Sequence, residues 1–117
     1  MAFVGVTELR NLPQLIYDEE LPVSVTADTE IVELSGSVDN SLITTLTIQC
    51  TMEDAGKYYL LDENGYKHYL TDPNKDYPAK LQLLSTYFLK KNKVVSLCFS
   101  VNSTMTDLII GTGAGVY

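Results

Sequence analysis

Alternation of apolar and polar residues in short stretches is the feature that most restricts the fold of this chain. One face of residues 42–50 is apolar, and its members are Leu42, Leu46, Ile48 and Cys50. Successive side chains of a strand point to opposite faces, so this period of two, with threonines interleaved, predicts a β-strand. Three other stretches are also predicted as strands, namely residues 29–38, 93–101 and 105–111.

A hairpin is predicted between residues 57–62 and 66–70. Both arms are rich in Tyr and Leu, and Glu63-Asn64-Gly65 separates them. Asn and Gly tolerate positive φ, and a type I′ turn needs two such residues in succession. The sequence therefore predicts a tight hairpin with a type I′ turn at Asn64-Gly65.

One amphipathic helix is predicted over residues 78–91. Pro78 suits the first position of a helix, where its missing N–H costs nothing, and Asp76 favours the positive end of the helix dipole. Leu81, Leu84 and Phe88 then form an apolar stripe at helical spacing. Lysines and an asparagine follow at 90–92, where a helix end favours them.

The order of these elements predicts a mainly β fold with one helix, arranged as a small OB-fold-like antiparallel Greek-key barrel. A generic α+β sandwich gives the same order and remains open. The length of 117 residues suits one domain. Residues 1–27, with a short helix at 7–12, are expected to form an N-terminal arm, and residues 28–117 the barrel domain. Residues 111–115, which are rich in glycine, are expected to form a flexible tail.

The charge balance restricts the partners. The net charge of −7 disfavours binding to nucleic acid, which needs clustered Lys and Arg. Most acidic residues lie in residues 1–56, where Arg10 is the only basic residue, so this half suits a basic partner or the more basic half of a second copy. No apolar run is long enough for a membrane span, and no signal peptide is recognisable at the start.

No catalytic or metal site is predicted, no cofactor is expected, and the chain is not expected to be an enzyme. His68 is the only histidine, and the sequence places no nucleophile or orienting group beside it. Cys50 and Cys98 are too few for a zinc site. They form either one disulfide or two buried thiols, and the sequence leaves both open.

Several short motifs resemble the B subunits of the cholera and heat-labile enterotoxin class. These motifs are the Asn64-Gly65 hairpin, Lys75-Asp76-Tyr77-Pro78, the strand from Lys93 to Cys98, Asn102-Ser103, and the strand from Asp107 to Ile110. The resemblance covers about half of the chain. It implies an OB barrel, a ring of five copies, and binding of sugars on host glycoconjugates. Ser100 stands where the cholera pattern has a sugar-stacking Trp, and this chain has no Trp.

Three functions follow as hypotheses. The first is a non-enzymatic, glycan-binding homo-oligomer, extracellular if it is toxin-like. Its sugar contacts are assigned to polar loop residues and to tyrosine faces, namely Asn102, Ser103, Asn74, Lys75, Tyr66 and Tyr69. The alternative is a structural or assembly protein of a phage or virus particle, located in the virion, with the N-terminal arm contacting neighbouring subunits. An immunity or inhibitor protein that masks a basic partner is a third hypothesis, based on charge alone.

Overall fold

The structure is a computed structural model that describes residues 14–17, 21–35 and 43–115. Within these ranges the chain forms nine β-strands. Their bounds are β1 Gln14–Tyr17, β2 Val23–Val25, β3 Val32–Ser35, β4 Ile43–Met52, β5 Tyr58–Asp62, β6 Lys67–Tyr69, β7 Leu83–Lys90, β8 Val94–Phe99 and β9 Ser103–Gly115. No helix in these ranges is long and apolar enough to cross a membrane.

The strands form two antiparallel sheets. Sheet A has the order β1-β9-β4-β7, and β2 pairs with β9 on the same side as β1. Sheet B has the order β3-β8-β5-β6. Strand β4 lies at the centre of sheet A, where Leu46 is opposite Tyr87 on one side and opposite Thr112 on the other. The mainly β expectation is therefore confirmed.

Strand pairing follows a nested order along the chain. Strands β1 and β2 pair with β9, β3 pairs with β8, β4 pairs with β7, and β5 pairs with β6. If β1 and β2 are counted as one interrupted strand, the first half of the chain pairs with the second half as in a single long hairpin. This hairpin is folded over, so that successive strand pairs lie alternately in sheet A and in sheet B. Eight strands wound in this way form a two-sheet jelly roll.

The core lies between the inner faces of the two sheets. In β4, alternate side chains are almost completely buried, and in β8 the same holds for Val95, Leu97 and Phe99. The alternation that predicted these two strands therefore reports the core face correctly. The fully buried members of β4 are Leu46, Ile48, Cys50 and Met52.

The helix expected over residues 78–91 is wrong. Residues 78–81 form a turn in which Lys80 has a φ of 62°, and β7 then runs from Leu83 to Lys90. Ser85-Thr86-Tyr87-Phe88 are indifferent helix formers, whereas Thr, Tyr and Phe favour strands. The expected stripe at Leu81, Leu84 and Phe88 is exposed rather than buried. The expected small barrel with one helix is accordingly replaced by two sheets.

The hairpin at 57–70 is confirmed as β5 and β6, but its turn differs from the expected type I′. Gly65 has a φ of 85°, whereas Asn64 is not among the residues with positive φ. Residues 63–65 form a three-residue loop, closed by a hydrogen bond from the Asp62 N–H to the Tyr66 carbonyl (3.0 Å). Three-residue loops of this kind need only one left-handed glycine.

Residues 111–115 and parts of residues 1–27 belong to sheet A. Residues 111–115 were expected to be a tail, but they continue β9 and pair with β4 from Thr47 to Ile43, so that expectation is wrong. Residues 14–17 and 23–25 of the expected arm pair with β9 as β1 and β2. The helix expected at 7–12 lies outside the described residues.

Candidate functional site: the groove between the β6 and β7 edges

A groove of about 320 Å³ lies where the edge of sheet B faces the edge of sheet A. Strand β6 contributes His68, β7 contributes Tyr87 to Lys90, and the turns at 62–64 and 90–93 close one end. The groove is thus built from the two strands that end the sheets on the same side of the sandwich. Its lining residues are Asp62, Glu63, Asn64, His68, Tyr87, Phe88, Leu89, Lys90, Lys93, Val94 and Val95.

Asp62 organises the hairpin end of the groove. Its Oδ1 accepts hydrogen bonds from the N–H groups of Asn64 and Tyr66, both at 2.9 Å. Its Oδ2 lies 2.8 Å from Nε2 of His68. The hydrogen bond with His68, followed by the bond from the Tyr66 N–H, lowers the pKa of the Asp62 carboxyl below its ordinary value. The groove therefore carries a fixed negative charge at neutral pH.

Aromatic side chains form the opposite wall. The Tyr87 ring lies edge-on to the His68 imidazole, with 5.9 Å between ring centroids, and packs against the core. Burial, followed by the charge of Asp62, raises the pKa of the Tyr87 hydroxyl, which stays protonated. Phe88 points to the other face of β7 and is 61% exposed. The groove thus combines an anion, aromatic surface and the cations Lys90 and Lys93.

The two carboxylates of the lining accept hydrogen bonds from the backbone of the chain. Asp62 accepts from the N–H groups of Asn64 and Tyr66. Glu63 Oε1 accepts the Val94 N–H at 2.8 Å, so this carboxylate joins the two turns. Among the described residues, no cluster of His, Cys, Asp or Glu has the composition of a metal site.

Two of the predicted sugar-binding residues have structural partners. Asn102 Oδ1 accepts the N–H of Ala27 at 2.7 Å, which ties the chain after β2 to the start of β9. Ser103 is buried, and its Oγ accepts the N–H of Asp54 at 3.0 Å. Both side chains accept from backbone N–H groups of loops and so hold distant segments together.

The other four predicted residues lie in the hairpin of sheet B and in the turn that follows it. Asn74 and Lys75 lie in a turn organised by Asp72, whose Oδ1 accepts the Asn74 N–H at 2.8 Å. Tyr69 is 38% exposed and packs against Tyr59. Tyr66 is 68% exposed and lies at the tip of the hairpin, whereas Tyr69 ends β6 on the side of the turn at 72–75.

Sequence reasoning missed that Asp62 and Tyr87 lie in one groove. The alternation of Leu83, Ser85, Tyr87 and Leu89 with their neighbours was a signal for a strand, but the helical stripe obscured it.

Cys50 and Cys98 are both free, buried thiols, and they lie on strands of different sheets.

A second surface adjoins the groove on the outer face of sheet A. Leu84 and Phe88 of β7 are 67% and 61% exposed, with Thr86 exposed between them. We call Leu84, Thr86 and Phe88 the β7 strip. The neighbouring outward residues of β4 are uncharged, and they are Thr45, Thr47, Gln49 and Thr51.

One carboxylate stands at the edge of this uncharged surface. Oδ2 of Asp107, on β9, accepts hydrogen bonds from the side-chain amides of Gln82 (2.8 Å) and Gln49 (3.0 Å). Lys90 lies at the other end of β7. The strip therefore runs from a region that contains a carboxylate to one that contains an ammonium group.

Comparison with protein-family models, with curated proteins and with solved structures finds no significant match for this chain. Functional reasoning therefore depends on the chain's own surfaces.

Proposed function

We propose that this chain is a non-enzymatic assembly module, a structural protein of a phage or virus particle, that contacts neighbouring subunits through the outer face of sheet A. The observation that carries the proposal is the β7 strip, with two large apolar side chains exposed on an edge strand beside uncharged neighbours. Exposed apolar surface next to an unpaired strand edge is typical of a contact site.

The composition of this face makes its burial favourable. Complete burial of a Leu or Phe contributes about 1.5–3 kcal/mol, and both side chains are already about one-third covered. The two together would contribute about 2–4 kcal/mol per contact. Removing water from threonine hydroxyls and glutamine amides costs less free energy than removing it from charged groups.

A contact of this strength suits an assembly rather than an isolated tight complex. Micromolar affinity requires about 8 kcal/mol, which exceeds the contribution of the two side chains. Subunits of a large particle are held by several contacts at once, and each can be weak. The β7 strip is therefore proposed as one of several contacts in a homo-oligomer.

The experiment compares the wild-type chain with Phe88→Asp by sedimentation velocity across a wide range of concentration. We expect the wild-type chain to associate with rising concentration and Phe88→Asp to remain monomeric. Tyr66→Asp is a matched control because Tyr66 is equally exposed (68%) but lies at the tip of the sheet B hairpin. A wild-type chain that stays monomeric, or a Tyr66→Asp variant that loses association equally, would contradict the proposal.

Glycan binding is the second candidate, and the groove between β6 and β7 supports it. An aromatic ring beside a carboxylate suits a sugar, which has an apolar face and hydroxyl donors. This placement differs from the residues first predicted, and the loss of the helix removes one motif on which the enterotoxin resemblance depended. Glycan-array binding that disappears in Tyr87→Ala but persists in Tyr66→Ala would support this candidate, and no binding to any glycan would remove it.

A further inference from the structure

We propose that β7 pairs antiparallel with β7 of a second copy, centred on Thr86, so that sheet A continues across a two-fold axis. This inference rests on the proposed assembly function and names the partner. Among the described strands β7 pairs only with β4, so its other edge has backbone N–H and C=O groups that no described strand pairs. Such an edge is a template for pairing with another strand.

The sequence of β7 is complementary to itself in this register. When Thr86 lies opposite Thr86 of the second copy, Leu84 lies opposite Phe88 of that copy, and Phe88 lies opposite Leu84. Both apolar pairs fall on the outer face of sheet A, where the two side chains are 67% and 61% exposed in one copy. Aliphatic and aromatic residues directly opposite each other stabilise a strand pair.

Neighbouring registers lack this match. A centre at Ser85 places Phe88 opposite the polar Gln82, and a centre at Tyr87 places Leu84 opposite the charged Lys90. In a strand pair related by a two-fold axis, residues directly opposite each other lie on the same face of the sheet. A register centred on a residue therefore keeps the β7 strip on the outer face in both copies, whereas a register centred between two residues does not. Of these three registers, the one centred on Thr86 alone pairs the two apolar side chains.

The charges favour the same arrangement. Lys90 of one copy comes opposite Gln82 of the other, and the Gln82 amide donates to Asp107 at 2.8 Å. Within the described part of the chain, neither Lys90 nor Asp107 takes part in an ion pair. The antiparallel pair therefore brings an ammonium group towards a carboxylate at both ends and opposes no like charges.

A two-fold strand pair uses the same patch on both copies, so it closes after two subunits. Sheet A would then run from β1 of one copy to β1 of the other through the β7 pair. A dimer of this kind is a building unit, and other surfaces remain for further contacts in a particle.

The test uses two double variants at the same exposed positions. In Leu84→Glu/Phe88→Lys, this register places the introduced carboxylate of each copy opposite the introduced ammonium group of the other. In Leu84→Lys/Phe88→Lys, it places like charges opposite each other twice. We expect the first variant to dimerise at least on the order of tenfold more tightly than the second, because opposite charges stabilise cross-strand pairs and like charges destabilise them. Sedimentation equilibrium measures the dissociation constants, and circular dichroism verifies that both variants fold.

A cysteine cross-link tests the centre directly. Residues opposite each other in antiparallel strands have Cα atoms about 4.5–5.5 Å apart, within the range of a disulfide. Thr86→Cys is therefore expected to give a covalent dimer under mild oxidation. Thr47→Cys is the control because Thr47 lies next to Thr86 on β4, so two copies of it would be about 14 Å apart.

Each outcome has a distinct meaning. Dimerisation by the oppositely charged variant alone, with the Thr86→Cys cross-link, supports the register. Loss of association in both double variants, without the cross-link, overturns the β7 pair but leaves an assembly contact through the face of sheet A. Equal association of both double variants overturns the β7 pair and the proposed use of the β7 strip together.

Discussion

Gly56 lies against a buried aromatic ring and gives a sharp test of the core. It forms a two-residue bridge with Tyr77, in which the Tyr77 N–H donates to the Gly56 carbonyl at 2.7 Å. A Cβ at Gly56 would lie 2.6 Å from Cζ of Phe99 and 2.9 Å from its Cε2. Phe99 is fully buried against Tyr58, with 4.7 Å between ring centroids, so its ring has little room to move.

We therefore expect Gly56→Ala to destabilise the fold. Overpacking of a core costs about 1–3 kcal/mol. The φ of Gly56 is not positive, so alanine also removes unfolded-state freedom, which stabilises by about 0.4–1 kcal/mol. The steric cost exceeds this gain, and the net loss is about 1–2 kcal/mol. In a chain of 117 residues that lowers Tm by about 4–8 °C.

Urea denaturation of the four proteins of a double-mutant cycle, which combines Gly56→Ala with Phe99→Leu, measures whether contact with the Phe99 ring causes the loss of stability. Leucine lacks the ring atoms that meet the new Cβ, so Gly56→Ala should cost close to nothing in the Phe99→Leu background. Gly65→Ala is the control: it has open space but a φ of 85°, so its cost of about 1 kcal/mol should not depend on Phe99. An equal cost of Gly56→Ala in both backgrounds, or a more stable variant, would refute the steric reasoning.

Two further predictions concern ionisable groups. The pKa of Asp62 is lowered in the folded chain, so its contribution to stability is complete above its ordinary pKa of 3.8 and is lost as the pH falls through the folded value. The difference in Tm between the wild type and Asp62→Asn should therefore shrink below about pH 4, and a difference that grows there would contradict it. Burial, followed by the charge of Asp107, raises the pKa of the Cys50 thiol to about 12, and burial also raises that of Cys98. Neither thiol should react rapidly with a disulfide reagent at about pH 8 until denaturant is added, and one fast thiol per native chain would show that this placement is wrong.

The parts of the fold that sequence predicted correctly have one face in the core. Strand β4 alternates between buried and more exposed residues because one of its faces meets the opposite sheet, and β8 alternates in the same way from Val94 to Leu97. The hairpin of β5 and β6 was also recognised, because a left-handed glycine at Gly65 is needed to reverse the chain. These signals are local, so they can be read without knowing the rest of the molecule.

Strand β7 was misread because both of its faces are apolar. Leu83 and Leu89 face the core, while Leu84 and Phe88 face outward, so the residues also satisfy a helical stripe. Pro78 and Asp76 reinforced the wrong choice, although Pro78 in fact begins a turn. The error comes from the apolar residues of the β7 strip, which are present in addition to the apolar residues that face the core.

The groove could not be predicted from the sequence for a different reason. It joins a turn of sheet B to an edge strand of sheet A, and His68 and Tyr87 approach each other only when the two sheets stack. Asn102 and Ser103 were chosen as free polar residues, but their hydrogen bonds to Ala27 and Asp54 depend on contacts between distant segments. Neither kind of contact produces a periodic pattern in the amino-acid sequence.

The nested pairing also determines when the molecule can fold. The central strand β4 needs β9, whose first residue is Ser103, so sheet A cannot form on a nascent chain until that late segment has left the ribosome. Among the strand pairs of the described residues, the hairpin at residues 58–69 is the one local enough to form early. We therefore expect slow folding, because most strand pairs join segments that are distant in the sequence, and we expect the unpaired strands to be prone to mispairing until β9 is available.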